Sequence, residues 1–415
     1  MNRNDRAIVA LVTLGHAMVH TYELSIPIFV SVWLASPAFS TDAATLGVVA
    51  TVGYGLFGLG ALPGGVLADT VGSKRLIVGC LLGMAVSFAL LSVASSVWVV
   101  AVALCLWGIA ASVYHPSGLS LISRGVEARG SAFAYHGMAG NVGIALGPLA
   151  ATLLLLVLDW RGVALVLTLP AVLGAVLALR FDVDERAAVA DGGTETDGGE
   201  ATGDSKADAV SSWPEFVAGS KRLFAGGFLV IFGIVVCSGL YYRGVLTFLP
   251  EILGDFPSLQ PVEVGGRTLE PGRYVYAGML MVGVVGQYVG GRLTDRVQPS
   301  RVLPFAFGLL GLLALAFVPL SSVGLLPVLA LCGVLGVALF VVQPLYQAAV
   351  AEHTPAGTRG LSYGYTYLGV FGVGALGGTL AGGLLTYADV GVLFVVLAGI
   401  GLAGALASFV LGRRV

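Results

Sequence analysis

The chain has 415 residues, 57% of them hydrophobic and 11% charged, with a formal net charge of −2. Soluble domains carry about 25% charged residues, so the composition excludes an ordinary soluble domain. With no basic excess, nucleic acid is not an expected partner. The four cysteines (Cys80, Cys105, Cys237, Cys332) lie inside apolar stretches and offer neither a disulfide framework nor a metal-ligand spacing.

A membrane helix needs about 20 mostly apolar residues. In chain order, twelve segments qualify: 7–34, 43–68, 76–95, 97–123, 130–158, 161–180, 224–250, 272–293, 302–320, 323–350, 360–387 and 391–411. The first follows Arg3 and Arg6 but far exceeds the roughly 7–15-residue core of a cleaved leader, so it is expected to be a retained span. Short breaks such as Ala94-Ser-Ser96 and Ser321-Ser322 predict antiparallel neighbours. One connection, Asp182 to Arg222, is long and polar, and its acidic, Gly-rich stretch Asp191–Glu200 cannot bury a core. The expected organisation is therefore a six-helix half (1–180), a disordered linker (181–222) and a second six-helix half (223–415). An even number of spans puts both termini on one side. Seventeen of the 21 Lys and Arg residues fall there, which predicts cytoplasmic termini in the cell membrane.

A polar signature occurs twice, 226 residues apart. The first copy reads Gly65-Val-Leu-Ala-Asp69-Thr-Val-Gly72-Ser-Lys74-Arg75; the second, shortened, reads Gly291-Arg-Leu-Thr-Asp295-Arg296. A second match pairs His115-Pro116 and Arg129-Gly130 with Gln343-Pro344 and Arg359-Gly360. Both point to a duplicated membrane unit.

Ionisable groups inside spans are costly and mark function. On the first span His16, His20 and Glu23 are spaced i, i+4, i+7, which places them on one helical face. Together with His115 on the fourth span they are the candidate proton-carrying groups. Arg243, Tyr241 and Tyr242 on the seventh span, Tyr114 on the fourth, and Gln343, Tyr346 and Gln347 on the tenth are candidate cavity residues. No His-Glu-x-x-His, Gly-x-Ser-x-Gly or phosphate loop is present, so an enzyme is not expected.

The duplicated Gly-x-Leu-x-Asp turn resembles the major facilitator superfamily of secondary transporters. That resemblance implies an all-α membrane protein of twelve transmembrane helices in two pseudo-symmetric six-helix halves. It also implies a central cavity lined by spans one, four, seven and ten, and alternating access. In the family the turn aspartate latches one half on the other. Here that implies a latch of Gly65, Asp69, Gly72 and Arg75 with Arg129 or with the start of the eleventh span near Arg359, and a weaker one at Gly291, Asp295 and Arg296. Gly143-Ile-Ala-Leu-Gly147-Pro148 resembles the fifth-helix motif of the family's proton-coupled exporters. Tyr114-His115-Pro116, Arg129-Gly130-Ser131-Ala132-Phe133 and Gly140-Asn141 resemble its fosmidomycin-resistance-like efflux branch. Ser117 stands where that branch carries Glu after His-Pro, and Leu104 where exporters carry Arg. The implied function is proton-coupled efflux of a small organic solute by a monomer in the lipid bilayer, without cofactor or metal. The alternative is a proton-coupled uptake permease for a small organic anion, which Arg243 suits.

Overall fold

The structure, a computed structural model, describes residues 1–37, 39–190, 213–355 and 357–413. The first half comprises α1 (Arg3–Ala35), α2 (Ala43–Leu59), α3 (Ala61–Val71), α4 (Ser73–Ser92), α5 (Val97–Ser112), α6 (Tyr114–Gly125), α7 (Arg129–Leu154) and α8 (Trp160–Arg180). Two short helices, α9 (Ala187–Ala190) and α10 (Trp213–Phe224), flank the central linker. The second half comprises α11 (Phe228–Leu246), α12 (Leu249–Gly254), a hairpin of β1 (Val262–Val264) and β2 (Arg267–Leu269), α13 (Pro271–Thr294), α14 (Pro299–Ser321), α15 (Leu325–Glu352), α16 (Arg359–Tyr367), α17 (Leu376–Tyr387) and α18 (Val390–Gly412). A π-helical segment, Leu368–Val373, joins α16 to α17.

Among the described residues ten helices are long and apolar enough to cross a membrane, with α5–α6 and α16–α17 each taken as one. The α2–α3 pair, bent by 47°, makes an eleventh. The remaining expected span is α13, 24 residues long. All twelve predicted segments thus fall on helices. Apolar side chains such as Trp98, Leu173, Phe305 and Leu326 point outward, as a lipid-facing surface requires. Arg3 and Arg413 lie on one side of the bundle (the terminus side), and the β1–β2 hairpin on the other (the hairpin side).

Acidic side chains sit where helices begin, because unpaired N–H groups and the helix dipole favour them there. Asp42, Asp159 and Asp389 accept from the backbone N–H of Thr45, Gly162 and Val392 at 2.8–2.9 Å on the hairpin side. On the terminus side Asp5 accepts from Glu127 and Ala128 at the start of α7. Glu185 accepts from Ser73 N and Lys74 N, at 2.8 and 2.9 Å, at the start of α4. Lys74 in turn donates to the carbonyls of Leu179 and Phe181.

These contacts correct the linker's expected extent. Residues 181–186 are strapped to the first half, with Asn4 bonded to both Gly125 and Asp184. At the other end α10 docks on α16, where Tyr365 donates to Ser220 and Phe224 packs edge-on against Tyr365. The acidic stretch Asp191–Glu200 lies outside the described residues.

The halves meet along α2 and the α16–α17 span. A Cβ on Gly58 would fall 2.0 Å from Gly372 N, and one on Gly47 2.5 Å from Gly378 O. Only glycine permits this approach. Thr51 donates to Ala375 O at 2.8 Å and accepts from Thr379 N at 3.0 Å. Nearer the hairpin side, Thr386 accepts from Ala44 N, Arg273 donates to Ser31, and Tyr276 donates to Leu24 O.

Candidate functional site

The first-span face predicted from the i, i+4, i+7 spacing forms a hydrogen-bonded chain. His16 Nδ1 lies 2.7 Å from His136 O, His16 Nε2 lies 3.0 Å from His20 Nε2, and His20 Nδ1 lies 2.5 Å from Glu23 Oε2. The other Glu23 oxygen accepts from Arg243 Nη2, across the interface between the halves. Glu23 and Arg243 are each 1% exposed.

The chain's ends fix its protons. A carbonyl only accepts, so His16 Nδ1 must carry hydrogen. With His16 neutral, its Nε2 then accepts, and His20 Nε2 must donate. One proton remains to be shared between His20 Nδ1 and Glu23 Oε2. The pair is either imidazolium with carboxylate or imidazole with carboxylic acid, the tautomers being assigned from this network. Both states keep every bond in the chain. A proton can therefore sit on either partner without rearrangement, while only the ionised carboxylate pairs fully with Arg243.

Arg243 is held from several sides. Its guanidinium carbon lies 3.6 Å over the Tyr54 ring and 5.4 Å from the Tyr242 ring. Tyr54 donates to Glu23 O at 3.0 Å, which ties α2 to α1 at the same level. Arg243 Nε and Nη1 are buried without a hydrogen-bond partner. Leaving buried donors unpaired is costly, so this cation has capacity for further acceptors.

Other expected residues fall elsewhere. His115 is buried but makes no bond to the chain; its ring stands 5.6 Å from that of His20. Tyr241 donates to Leu310 O, at 2.7 Å, inside the second half. Tyr114 donates to Val12 O and packs its ring 5.5 Å from His16. The hydroxyls of these two tyrosines act as helix ties. Gln343 accepts from Gln287 at 3.3 Å within the second half. Tyr346 is buried on α15 beside Gln347, close to Tyr242 and Tyr367. The imidazole nitrogens of His16, His20 and His115 lie within 4.8 Å of one another, the place among the described residues where a metal could sit. The chain engages His16 Nε2 and His20 Nε2 with each other instead.

Asp69 is paired, but not with the expected partners. Arg124 Nη1 donates to it at 2.6 Å, and Arg124 Nη2 reaches Ser73 at 3.4 Å. Arg124 belongs to α6, which runs beside α3 in the same half, so this bond does not itself join the halves. Arg129, Arg359 and Arg75 are exposed. The interhalf contact of α3 is apolar: a Cβ on Gly364 would fall 2.7 Å from Leu62. Gly72, with φ +97°, makes the turn into α4 that only glycine adopts readily. Gly65 and Gly291 face open space. Asp295 and Arg296 are exposed and make no ion pair among the described residues. Gly143 and Gly147 carry α7 onto α1: a Cβ on either would fall 2.2 and 2.5 Å from Ala17 O and Thr21 O.

Sequence reasoning missed Tyr54, His136 as carbonyl acceptor, Arg124 and Glu185. Arg124 was visible as a basic residue at a span end; nothing local marked Tyr54 or Glu185.

Residues 12–378 match the Major Facilitator Superfamily. The chain belongs to that superfamily. A gentisate transporter of Corynebacterium glutamicum is 27% identical over 365 residues, covering 85% of this chain and 76% of the relative. Among solved structures, a bacterial homologue of the human lysosomal transporter Spinster, inward-facing and unoccupied, superposes with TM-score 0.77 at 15% identity, covering 100% of this chain and 98% of that one. The nucleoside transporter NupG gives TM-score 0.75 at 14% identity over 98% of this chain and 99% of that one. At such identities these structures establish the fold alone. The chain is therefore a multi-pass transporter of a small solute, and not an enzyme.

Proposed function

We propose that the chain is a proton-coupled permease for a small organic anion, with Arg243 binding the anion and the His20–Glu23 pair carrying the proton. The observation that carries this reading is the arrangement around Glu23: one oxygen on Arg243 across the interface, the other on His20. An anion that engages Arg243 competes with Glu23. A carboxylate that loses its buried cation is strongly destabilised unless it is protonated. The proton on His20 Nδ1 is in place to neutralise it, and His16 stands behind as the next acceptor. Anion and proton thereby favour each other's binding, which is the logic of co-transport. Protonation and anion loading would then bias the exchange between inward- and outward-facing states.

The similarity to a gentisate transporter supports an organic acid as substrate, since gentisate is an aromatic carboxylate. The efflux expectation leaned on Gly143, Gly147 and Pro148 and on the titratable first span; the glycines have a packing task, and titratable groups serve either direction. The likeness to the fosmidomycin-resistance-like branch has no further support. The Lys and Arg bias supports the terminus side as cytoplasmic in the cell membrane. A monomer suffices, because both halves of the site come from one chain.

The test is uptake of labelled gentisate into proteoliposomes under an imposed pH gradient. Accumulation on the alkaline side is expected. Accumulation toward the acidic side would establish antiport and remove this reading.

A further inference from the structure

Four rings from both halves meet beside the Arg243 pair. Phe57 lies 4.7 Å from Phe371 and 5.6 Å from His115, and His115 lies 5.0 Å from Tyr367. Tyr367 and Phe371 stack nearly parallel, 10° apart. The π-helical segment explains their placement. It inserts an extra residue into the α16–α17 span, and such insertions commonly mark functional sites. Here it brings Phe371 against α2, where Gly58 and Gly372 touch. Tyr367 and Phe371 are half-buried, whereas Phe57 and His115 are buried.

Phe371 has a polar group on each flank. The Arg243 guanidinium carbon lies 5.8 Å from its ring centre, and the His115 ring 6.1 Å from it. Both flanking side chains have buried nitrogens without a partner: Nε and Nη1 of Arg243, and Nδ1 of His115. His136 Nε2 is also unpartnered, but it packs beneath α6, 3.7 Å from where a Cβ on Gly118 would lie. It does not face the ring cluster. Native proteins leave few buried polar atoms unpaired, and those that remain call for an explanation.

We propose that His115 Nδ1 selects a ring hydroxyl on an aromatic monocarboxylate whose carboxylate is held by Arg243 and whose ring packs on Phe57, Tyr367 and Phe371. The proposal rests on the reading of Arg243 as the anion site and adds the substrate class and its selecting residue. A flat apolar wall with one cation suits a benzoate-like anion. A hydroxyl both donates and accepts, so it can pair with Nδ1 in either imidazole tautomer. This also removes His115 from the proton-carrying set. Its ring stands beside the His16–His20–Glu23 chain without joining it.

The full-length protein in proteoliposomes tests this with three labelled probes: benzoate, meta-hydroxybenzoate and para-hydroxybenzoate. The wild type is expected to prefer the better hydroxybenzoate over benzoate by about tenfold in kcat/KM, the scale of one buried hydrogen bond. His115→Phe should bring that ratio close to one, and His115→Asn, whose amide can still pair with a hydroxyl, should keep most of it. An unchanged ratio in His115→Phe overturns the proposal, as does a wild type with no preference. If His115→Phe transports nothing, ligand-induced shifts in the melting temperature of the detergent-solubilised variant give the ratio instead. Equal shifts for the three probes support the proposal; a retained hydroxybenzoate preference, or no shift with any probe, overturns it. Arg243→Ala separates the two levels. If it leaves benzoate transport intact, the anion-site reading fails and this proposal with it. If it weakens all three probes equally while the His115 variants keep the wild-type ratio, the anion site stands and the selecting role of His115 falls.

Discussion

The two halves repeat one membrane unit but divide its chemistry unequally. The first half holds His16, His20, Glu23, His115 and His136, and its turn aspartate is bonded to Arg124. The second half supplies Arg243 and the Tyr367–Phe371 wall, while its turn aspartate is exposed and unpaired among the described residues. Duplication thus fixes the scaffold without fixing the roles. On the proposed mechanism one half carries the mobile proton and the other a permanent cation. The buried Glu23–Arg243 ion pair spans the interface between them, so a change of charge at that pair is felt by both halves.

The comparison breaks most sharply at that pair. Arg243→Ala leaves Glu23 buried without its cation, which costs about 3–5 kcal/mol in folded stability unless Glu23 takes a proton. A large fall in melting temperature that lessens at acidic pH is expected, with loss of anion transport. Glu23→Gln removes the carrier instead. Gradient-driven accumulation should vanish, while downhill exchange of the anion persists. Full pH-driven accumulation in Glu23→Gln would shift the carrier to His20, one turn away.

Much of this was legible in the sequence for a physical reason: the bilayer imposes apolar runs of fixed length, and an ionisable residue within one stands out. Glu23, His16, His20 and Arg243 stood out that way, and helical periodicity put the first three on one face, where they are hydrogen-bonded in a row. Tyr54 was not found, because a tyrosine in a span has many ordinary uses and its place under Arg243 depends on how the two halves meet. Tyr114 and Tyr241 show one such use: their hydroxyls satisfy backbone carbonyls on neighbouring helices, which no local pattern announces. The partner of Asp69 was misplaced because the turn motif names the carboxylate, whereas α6 packing decides which arginine reaches it. Glu185 lay at the edge of a polar stretch read as structureless, and its cap on α4 is a contact 111 residues apart in sequence.

Glu185 sharpens the comparison at the next scale. The second copy of the turn is followed by Gln298-Pro299, where α14 begins with no side-chain cap. Among the described residues, only the first half uses a carboxylate from beyond its last span to hold the turn. Glu185→Ala should lower stability by about 1 kcal/mol, the usual value of a helix-start acceptor, read as a modest fall in melting temperature. Transport should fall with it, because the cap anchors the residues next to Gly72. An unchanged melting temperature would show the strap to be incidental.

Asp69 and Asp295 offer a smaller and more direct contrast. The Asp69 side chain is 54% exposed and that of Arg124 23%, so solvent screens their attraction. A pair of this kind contributes roughly 0.2–1 kcal/mol. Asp69→Asn should therefore slow transport only a few-fold, by loosening the α3–α6 contact that positions Leu62 against Gly364. Asp295→Asn should leave transport at the wild-type rate. Equal effects of the two substitutions would mean that the halves use their turns alike, against the asymmetry seen here.

The last contrast lies on the hairpin side, where the second half carries a part-buried carboxylate with no hydrogen bond or ion pair among the described residues. Glu251 on α12 has its carboxyl pushed up to about 7 from the ordinary 4.5, by burial first and then by the neighbouring Asp255; Arg273 offsets part of this and Glu270 adds to it. Arg273 is meanwhile drawn toward Ser31 of the first half, at 3.2 Å. A carboxyl that holds its proton more tightly when folded stabilises the fold fully below pH 4.5, and that contribution is lost as pH rises through about 7. Stability should therefore decline across that window through this group. Glu251→Gln, which stays neutral, should match the wild type in acid and melt higher as pH rises from 4.5 through about 7, so the two melting curves diverge across that window and stay apart above it. Asp5, Asp42, Asp69 and Asp159 of the first half, which accept hydrogen bonds, should show no such gain when neutralised. A Glu251→Gln curve parallel to wild type at every pH would mean that Arg273 satisfies Glu251 after all, and the contrast between the halves would then be confined to the buried pair.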